Sequence, residues 1–424
     1  MLDIKFIREN PDLIKEAARK KRVKFDVAEL LAADEKRLGI LREVEDMRAK
    51  QNAASDNIAK IQDPAQRQAA IEEMKKLKET LLTKVEELRQ ANEAWKALML
   101  QAPNIPDVSV PEGADDTQNA EFKKWGEIPD FKQKGFEPKS HIELMQKLDL
   151  ADFERGTKVS GFRGYFLKND GALLSFAIWQ HGMEFFMKKG GFSPMIVPSL
   201  VKKETMYGTG YLPQGEEDLY KTQDSDYLAG TAEVSAMGYH SDEIIDKKDL
   251  PKKFLCFSPC FRREAGSYGK DVKGIIRVHE FFKLEQVVLC EADHQESVKW
   301  HEWVNRNTEE FMESLGIPYR TVINCGGDLG LGQVKKYDIE LWVPNENKYR
   351  EISSASYFHD FQTRRLNIKY KDETGKLKFA HSLNSTAVPT PRIIVSILEN
   401  YQQADGSIIV PEPLRKYMGK DVIR

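Results

Sequence analysis

The stretch Phe261-Arg-Arg-Glu-Ala-Gly-Ser-Tyr-Gly-Lys-Asp-Val-Lys-Gly-Ile-Ile-Arg-Val-His-Glu-Phe-Phe-Lys-Leu-Glu285 decides the reading of this chain. Two apolar runs, Lys253-Phe-Leu-Cys-Phe before it and Gln286-Val-Val-Leu after it, flank a loop rich in glycine and in charges of both signs. Strand, loop and returning strand fit that pattern, and a β-hairpin so formed is expected to bring Arg262 and Arg277 face to face. Arginine grips pairs of phosphate oxygens through its planar fork. Phe281 offers a ring on which a purine can stack, and Glu264 a carboxylate that can accept from an exocyclic amine. The same residues would also serve a charged hairpin laced with ion pairs. Taken alone, the stretch leaves a nucleotide site and a structural hairpin both open.

Around it, glycine and aromatics are frequent, and short apolar runs alternate with turns. Helical periods recur only at intervals, as from Leu173 to Lys189 and from Ile393 to Tyr401. That texture predicts an α+β domain over 113–424, an antiparallel β-sheet flanked by helices. A proline-rich passage, Ala102-Pro-Asn-Ile-Pro-Asp through Pro111-Glu-Gly, makes 102–112 a linker.

The first 101 residues are of another kind. From Phe25 to Leu100 the only proline is Pro64, and two long helices joined by a turn there are expected. Met74, Leu81, Leu88 and Trp95 repeat every seven residues, with Ile71, Val85 and Met99 as the partner seam, interrupted at Lys78 and Asn92. Met47, Ala54 and Ile61 keep the same period in the first helix, with Leu41, Val44 and Ile58 beside them. Such stripes predict an antiparallel α-helical coiled-coil arm, roughly 50 Å long for about 35 residues. A hairpin that long buries little and protrudes far. Its mixed charge fits a solvated coil with paired side chains, and it equally fits a basic tip near Lys60, Arg67, Lys75 and Lys76 that meets phosphates.

Composition narrows the classes. Charged residues make up 31 % of the 424, and the formal net charge is −3, so a nucleic-acid partner must be met by a local basic surface. Four cysteines, with Cys256 and Cys260 at the wrong spacing for a redox or zinc motif, predict ordinary thiols in a reducing compartment. The start lacks a signal-peptide pattern, and no apolar run approaches the ~20 residues of a membrane span, which makes the cytoplasm the expected location and a membrane no partner. GxxxxGK[ST], HExxH and GxSxG are all absent. Gly327-Asp-Leu-Gly-Leu-Gly runs into Tyr337-Asp-Ile-Glu-Leu-Trp, which alternates like a strand, so it reads as a turn and not as a nucleotide loop.

Taken together, the motifs resemble those of class II aminoacyl-tRNA synthetases of the seryl family. Phe261-Arg-Arg-Glu-Ala-Gly-Ser with His279-Glu-Phe-Phe-Lys-Leu-Glu is similar to motif 2, and Gly191-Phe-Ser-Pro-Met-Ile-Val-Pro-Ser-Leu-Val to motif 1, the dimer-forming element with Pro198. Tyr207-Gly-Thr-Gly-Tyr-Leu-Pro, Thr231-Ala-Glu, Tyr337-Asp-Ile-Glu-Leu-Trp, Glu351-Ile-Ser-Ser-Ala-Ser and Asn384-Ser-Thr follow in the family's order, and Pro391-Arg-Ile resembles motif 3. Pro389 and Pro391 stand where many relatives carry glycine.

The resemblance implies a homodimer that joins serine, ATP and Mg²⁺ chemistry to tRNA(Ser), with tRNA(Sec) as a second candidate substrate. It implies that Thr231, Ala232, Glu233, Glu285, Asn384 and Thr386 line a serine pocket. Arg262 would hold the α-phosphate, with Arg263 beside it. Glu264 and Phe281 would take the adenine, and Arg277 and Arg392 the outer phosphates and the other face of the ring. Arg262, Arg277 and Arg392 would carry the catalysis. The run Glu351, Ile352, Ser353 and Ser354 would serve ATP, with Glu351 and Ser354 toward the metal. Lys60, Arg67, Lys75 and Lys76 would meet the tRNA. Three rivals are weaker. A paralogue charging another carrier typically lacks the hairpin, a dead scaffold would not keep all the charged residues, and the zinc-dependent variant needs a ligand set not recognisable here.

Overall fold

The computed structural model describes every residue except 59, 267, 268 and 270, so Ser267 of the 261–267 motif lies outside the described residues. The chain divides into two compact units. One comprises Leu2–Arg19 and Val23–Pro103, and the other Met1, Lys20–Arg22 and Asn104–Arg424.

In the first unit, α1 (Val27–Ile58) and α2 (Pro64–Gln101) pair along their length. Asp63 caps α2 by accepting from the Gln66 backbone N–H at 2.8 Å, and Pro64 sits at the first helical position, where its missing N–H costs nothing. The expected seam needs a correction. Ile71 is 43 % exposed. The inward positions are Met74, Leu77, Leu81, Lys84, Leu88, Ala91, Trp95 and Leu98, an alternation of three and four residues, and Met99 of the expected seam is buried as well, 1 % exposed. Leu77 and Ala91 thus fill the places where Lys78 and Asn92 look like interruptions in the sequence. Lys84 is the charged residue on this seam, and its ammonium reaches Glu43 of the facing helix and Glu87 of its own, both at 2.9 Å. At the base of the hairpin, buried Asp34 pairs with Arg8 and Arg37, and the Arg37 guanidinium lies 4.5 Å from the centre of the Trp95 ring.

The second unit is built on eight core strands: β1 (Ala120–Trp125), β2 (Phe192–Ile196), β3 (Lys252–Phe261), β4 (Glu280–Cys290), β5 (Tyr319–Ile323), β6 (Lys335–Val343), β7 (Lys348–His359) and β8 (His381–Thr390). They lie in the order β1-β5-β6-β7-β8-β4-β3-β2, and all neighbours are antiparallel except β2 and β3. The sheet expected from the sequence is the one observed. The helices used below are α3 (Asn169–Lys188), α4 (Glu233–Gly238), α5 (His294–Ser314), α6 (Phe361–Arg365) and α7 (Arg392–Tyr401). Side chains from α3, α5 and α7 pack one large apolar core against the sheet, including Leu174, Phe186, Phe311, Ile393 and Ile397 with Leu284, Val388 and Ile339 of the strands. A second cluster, built on Ala232, Ala236 and Met237, covers Val287 and Leu289 of β4.

Pro389 is unusual in a central strand because it removes a ladder donor. Its side toward β7 carries no ladder, since β7 pairs with β8 only from Ser382 to Ser385. All four cysteines are free and buried, and burial pushes Cys256 and Cys290 up to about 12, so their thiols stay inert. Among the described residues, no helix is long and apolar enough to cross a membrane.

Candidate active site

Period-two alternation puts residues 281, 283, 285, 287 and 289 of β4 on one face of the sheet. The cluster beside α4 covers Val287 and Leu289, and the remaining three begin a cleft. Between β4 and β8 the register slips, with Leu284 opposite Val388 but Glu285 opposite Thr386. The bulged residue, Ala387, turns Thr386 and Asn384 onto the face of Glu285. The Thr386 hydroxyl consequently donates to Glu285 Oε2 at 3.4 Å. From the other side, the Thr231 hydroxyl reaches the same oxygen at 3.4 Å and accepts from the Glu233 backbone N–H at 3.4 Å. Residues 231, 233, 285 and 386, far apart in sequence, therefore line one small acidic pocket.

Glu233, 5 % exposed, is held by two donors, the Gln362 amide on Oε1 at 2.6 Å and the Tyr211 hydroxyl on Oε2 at 3.0 Å. Burial pushes its carboxyl up to about 7, and Glu285 adds to the rise, against the pull of Gln362, Tyr211 and Lys283. The shift is upward. Any stability it lends the ligand-free chain is full below the unfolded value near 4.5 and is lost as pH rises through about 7. An incoming ammonium needs the ionised form. The KM for an amino acid seated here is expected to rise toward tenfold per pH unit below about 7, and Glu233→Gln to raise KM and flatten that profile. Steady-state kinetics between about pH 5.5 and 8.5 measures both, and a wild-type KM independent of pH would exclude Glu233 from contact with the ammonium.

At the other end of the cleft, the Arg262 Nε donates to the Gly230 carbonyl at 3.2 Å, and its guanidinium stands 5.3 Å from the centre of the Phe281 ring. A Cβ at position 230 would come within 3.3 Å of both Arg262 Cγ and the Phe261 carbonyl, so glycine allows this close approach. Arg262 does not face Arg277, which corrects the expectation from the loop. Phe261 pairs with Glu280, and the Arg262 N–H donates to His279, which leaves Arg277 to pair with Glu264 across the hairpin. Arg392, the first residue of α7, donates from Nε to the Ile276 carbonyl at 2.9 Å and lies 3.7 Å from the Glu351 carboxylate. Burial lowers the Arg392 pKa, opposed by Glu351, while Arg262 and Arg277 press it the same way. Three guanidinium groups from separate stretches of chain converge here.

The run 351–354 divides by face. Glu351 opposes Glu340 and Ser354 opposes Asp338, with a bulge at Ile352 between them. The bulge sets Glu351 and Ser354 on the same face of the sheet. Ile352 packs into the large core, and the Ser353 hydroxyl donates to the Thr386 carbonyl at 2.7 Å, so neither side chain points to the cleft. Ala232 is likewise buried in the apolar cluster. Arg263 is exposed, with its backbone N–H on Asp218, and Asn384 is buried opposite Val287. Lys60, Arg67, Lys75 and Lys76 are all exposed, Lys60 in the turn between the arm helices and the others on α2.

Three polar residues of the pocket go unseen in the sequence: Lys283, whose ammonium is 2.6 Å from Glu285, and the pair Tyr211 and Gln362 that clamp Glu233. Lys283 carries a signal, since a lysine two positions before a glutamate in an apolar strand must share its face. Gln362 carries none.

Residues 218–401 match the tRNA synthetase class II core domain (G, H, P, S and T), and residues 1–106 match the seryl-tRNA synthetase N-terminal domain. A serine–tRNA ligase of Deinococcus radiodurans is 46 % identical over 99 % of this chain and 98 % of its own length. The chain belongs to the seryl-tRNA synthetase family. A seryl-tRNA synthetase from Pyrococcus horikoshii, complexed with ATP, superposes with a TM-score of 0.90 at 38 % identity, covering 100 % of this chain and 99 % of that one. A cytoplasmic serine–tRNA ligase from Naegleria fowleri, in complex with AMP, gives a TM-score of 0.86 at 33 % identity, with coverages of 100 % and 99 %. The family is thus shared by both units of the chain.

Proposed function

We propose that this chain is a serine–tRNA ligase whose cleft seats serine at the acidic pocket and ATP along the three arginines. The observation that carries this reading is the convergence of Arg262, Arg277 and Arg392 at one end of a cleft whose other end is lined by Thr231, Glu233, Glu285 and Thr386. The serine carboxylate attacks the α-phosphorus of ATP, a P–O bond forms, and pyrophosphate leaves with the electron pair of the broken P–O bond. The nucleophile arrives ionised, so no general base is required. What the site must do is align two anions that repel each other and stabilise the charge spreading over phosphate oxygens.

Arg262, fixed through Nε, offers its fork to the α-phosphate. Phe281 gives the adenine a stacking face, and Glu264, held by Arg277, stands beside it. Arg277 and Arg392 take the outer phosphates. Glu233 accepts the serine ammonium, and Glu285 with Thr386 meets the hydroxyl. Alanine would forgo that hydrogen bond, and pockets built to bond a substrate hydroxyl reject analogues lacking it by ~10⁴ or more. A ribose hydroxyl at the 3′ end of tRNA(Ser) then attacks the seryl carbonyl and releases AMP.

The residues present suit Mg²⁺. Glu351 and Ser354 are hard oxygen donors on one face, and Mg²⁺ commonly takes only one or two protein oxygens beside the phosphates. Among the described residues no cage of three or more metal-binding side chains exists. Bound there, the ion would supply charge neutralisation at the phosphates.

The arm carries the tRNA in this reading, with Lys60, Arg67, Lys75 and Lys76 on its backbone, and tRNA(Sec) is a second substrate. Exposed Leu173 and Phe176 of α3, Ile196 of β2 and Phe282 support a homodimer built on that face, and a cytoplasmic location belongs to the same reading. Radiolabelled pyrophosphate exchange across the twenty amino acids tests the activity. Serine alone is expected to support exchange well above background, and equal or greater exchange with another amino acid would overturn the assignment.

A further inference from the structure

Lys283 stands on the cleft face of β4 two residues before Glu285, and it is 5 % exposed. Its Nζ lies 2.6 Å from Glu285 Oε2 and 3.3 Å from Thr386 Oγ1. The Thr231 and Thr386 hydroxyls reach that same Oε2, so a cation and two hydroxyls converge on one carboxylate oxygen. Among the described residues, the pocket therefore sets two acids, Glu233 and Glu285, against one lysine. A buried carboxylate left without a counter-ion draws the nearest cation, because an unpaired charge away from water is costly. We propose that Lys283 is a specificity-determining residue acting through Glu285: its ammonium balances that carboxylate, so the place beside it takes a neutral side-chain hydroxyl and refuses a side-chain ammonium.

The inference rests on the reading of this pocket as the serine site. Serine brings one ammonium to the pocket, and among the described residues Glu233 is the acid still without a cationic partner of its own. L-2,3-diaminopropionate has the size of serine with an amine in place of the hydroxyl. Its second ammonium would enter beside Lys283 and meet a like charge in a water-poor site, where such repulsion is poorly screened. Remove the lysine, and Glu285 becomes an unbalanced anion that prefers the diamine.

The test is pyrophosphate exchange by the full chain with serine and with L-2,3-diaminopropionate, at fixed pH. K283M keeps the length of the side chain without its charge. It is expected to lose at least a hundredfold in kcat/KM for serine, mainly through KM, while discrimination against the diamine falls at least tenfold. K283R is expected to keep the wild-type discrimination within about threefold. E285Q should move the other way, because it leaves the lysine unbalanced, and discrimination should rise at least tenfold. That opposite shift gives a reading even where K283M fails to fold. A serine-to-diamine ratio unchanged in a folded K283M, or in E285Q, overturns the role given to Lys283. Wild-type protein without serine-dependent exchange would instead remove the serine-site reading itself.

Discussion

Arg262→Ala is expected to lower serine-dependent pyrophosphate exchange at least about a thousandfold while the protein stays folded. Removing one preorganised donor to a developing oxyanion ordinarily costs about 10²–10³ in rate, and a bidentate fork supplies two such donors. The fold should tolerate the change, since Arg262 is an exposed residue whose side chain meets the frame through its Nε contact to the Gly230 carbonyl. The thermal midpoint should therefore move little. Arg262→Lys should recover less than a tenth of the missing rate, because a point charge cannot reproduce the planar two-point grip. Near-normal turnover in the alanine variant would take Arg262 out of the α-phosphate role.

Replacing residues 35–90 with a short Gly/Ser turn should separate the two halves of the activity. Exchange should stay within about threefold of wild type, because none of the residues that line the cleft belongs to α1 or α2. Aminoacylation of tRNA(Ser) should fall by at least about a thousandfold, if the arm supplies most of the affinity for tRNA. A milder variant with Lys60, Arg67, Lys75 and Lys76 changed to alanine should flatten the salt dependence of tRNA binding. For every phosphate that the variant no longer neutralises, the slope of log K against log salt is expected to shrink by roughly 0.7–0.9. A folded arm-less variant that no longer exchanges pyrophosphate would contradict this division of labour.

Much of the fold is legible in the sequence, for identifiable reasons. The arm can be read because a seven-residue apolar period survives over many turns, and Pro64 marks the bend. Its partner seam comes out only in part, since Ile71 lies exposed while Met99 is buried, and only packing shows that Leu77 and Ala91 turn inward as well. The strands around the cleft are legible as apolar runs between turns. Their bulges are not. A single extra residue at Ala387 or Ile352 decides whether Thr386 and Ser354 face the cleft, and nothing in the local composition announces it. The opposition of Arg262 and Arg277 fails for the same reason, because the true register sets Arg277 against Glu264. Gln362 is out of reach because its contact with Glu233 spans 129 residues.

The most direct test is a crystal structure of the chain with a non-hydrolysable seryl-adenylate analogue. The adenine is expected against Phe281, the phosphate mimic on the Arg262 fork, the serine ammonium on Glu233 and the hydroxyl within hydrogen-bond distance of Glu285. An analogue bound elsewhere, or bound with its phosphate mimic away from all three arginines, would contradict the site.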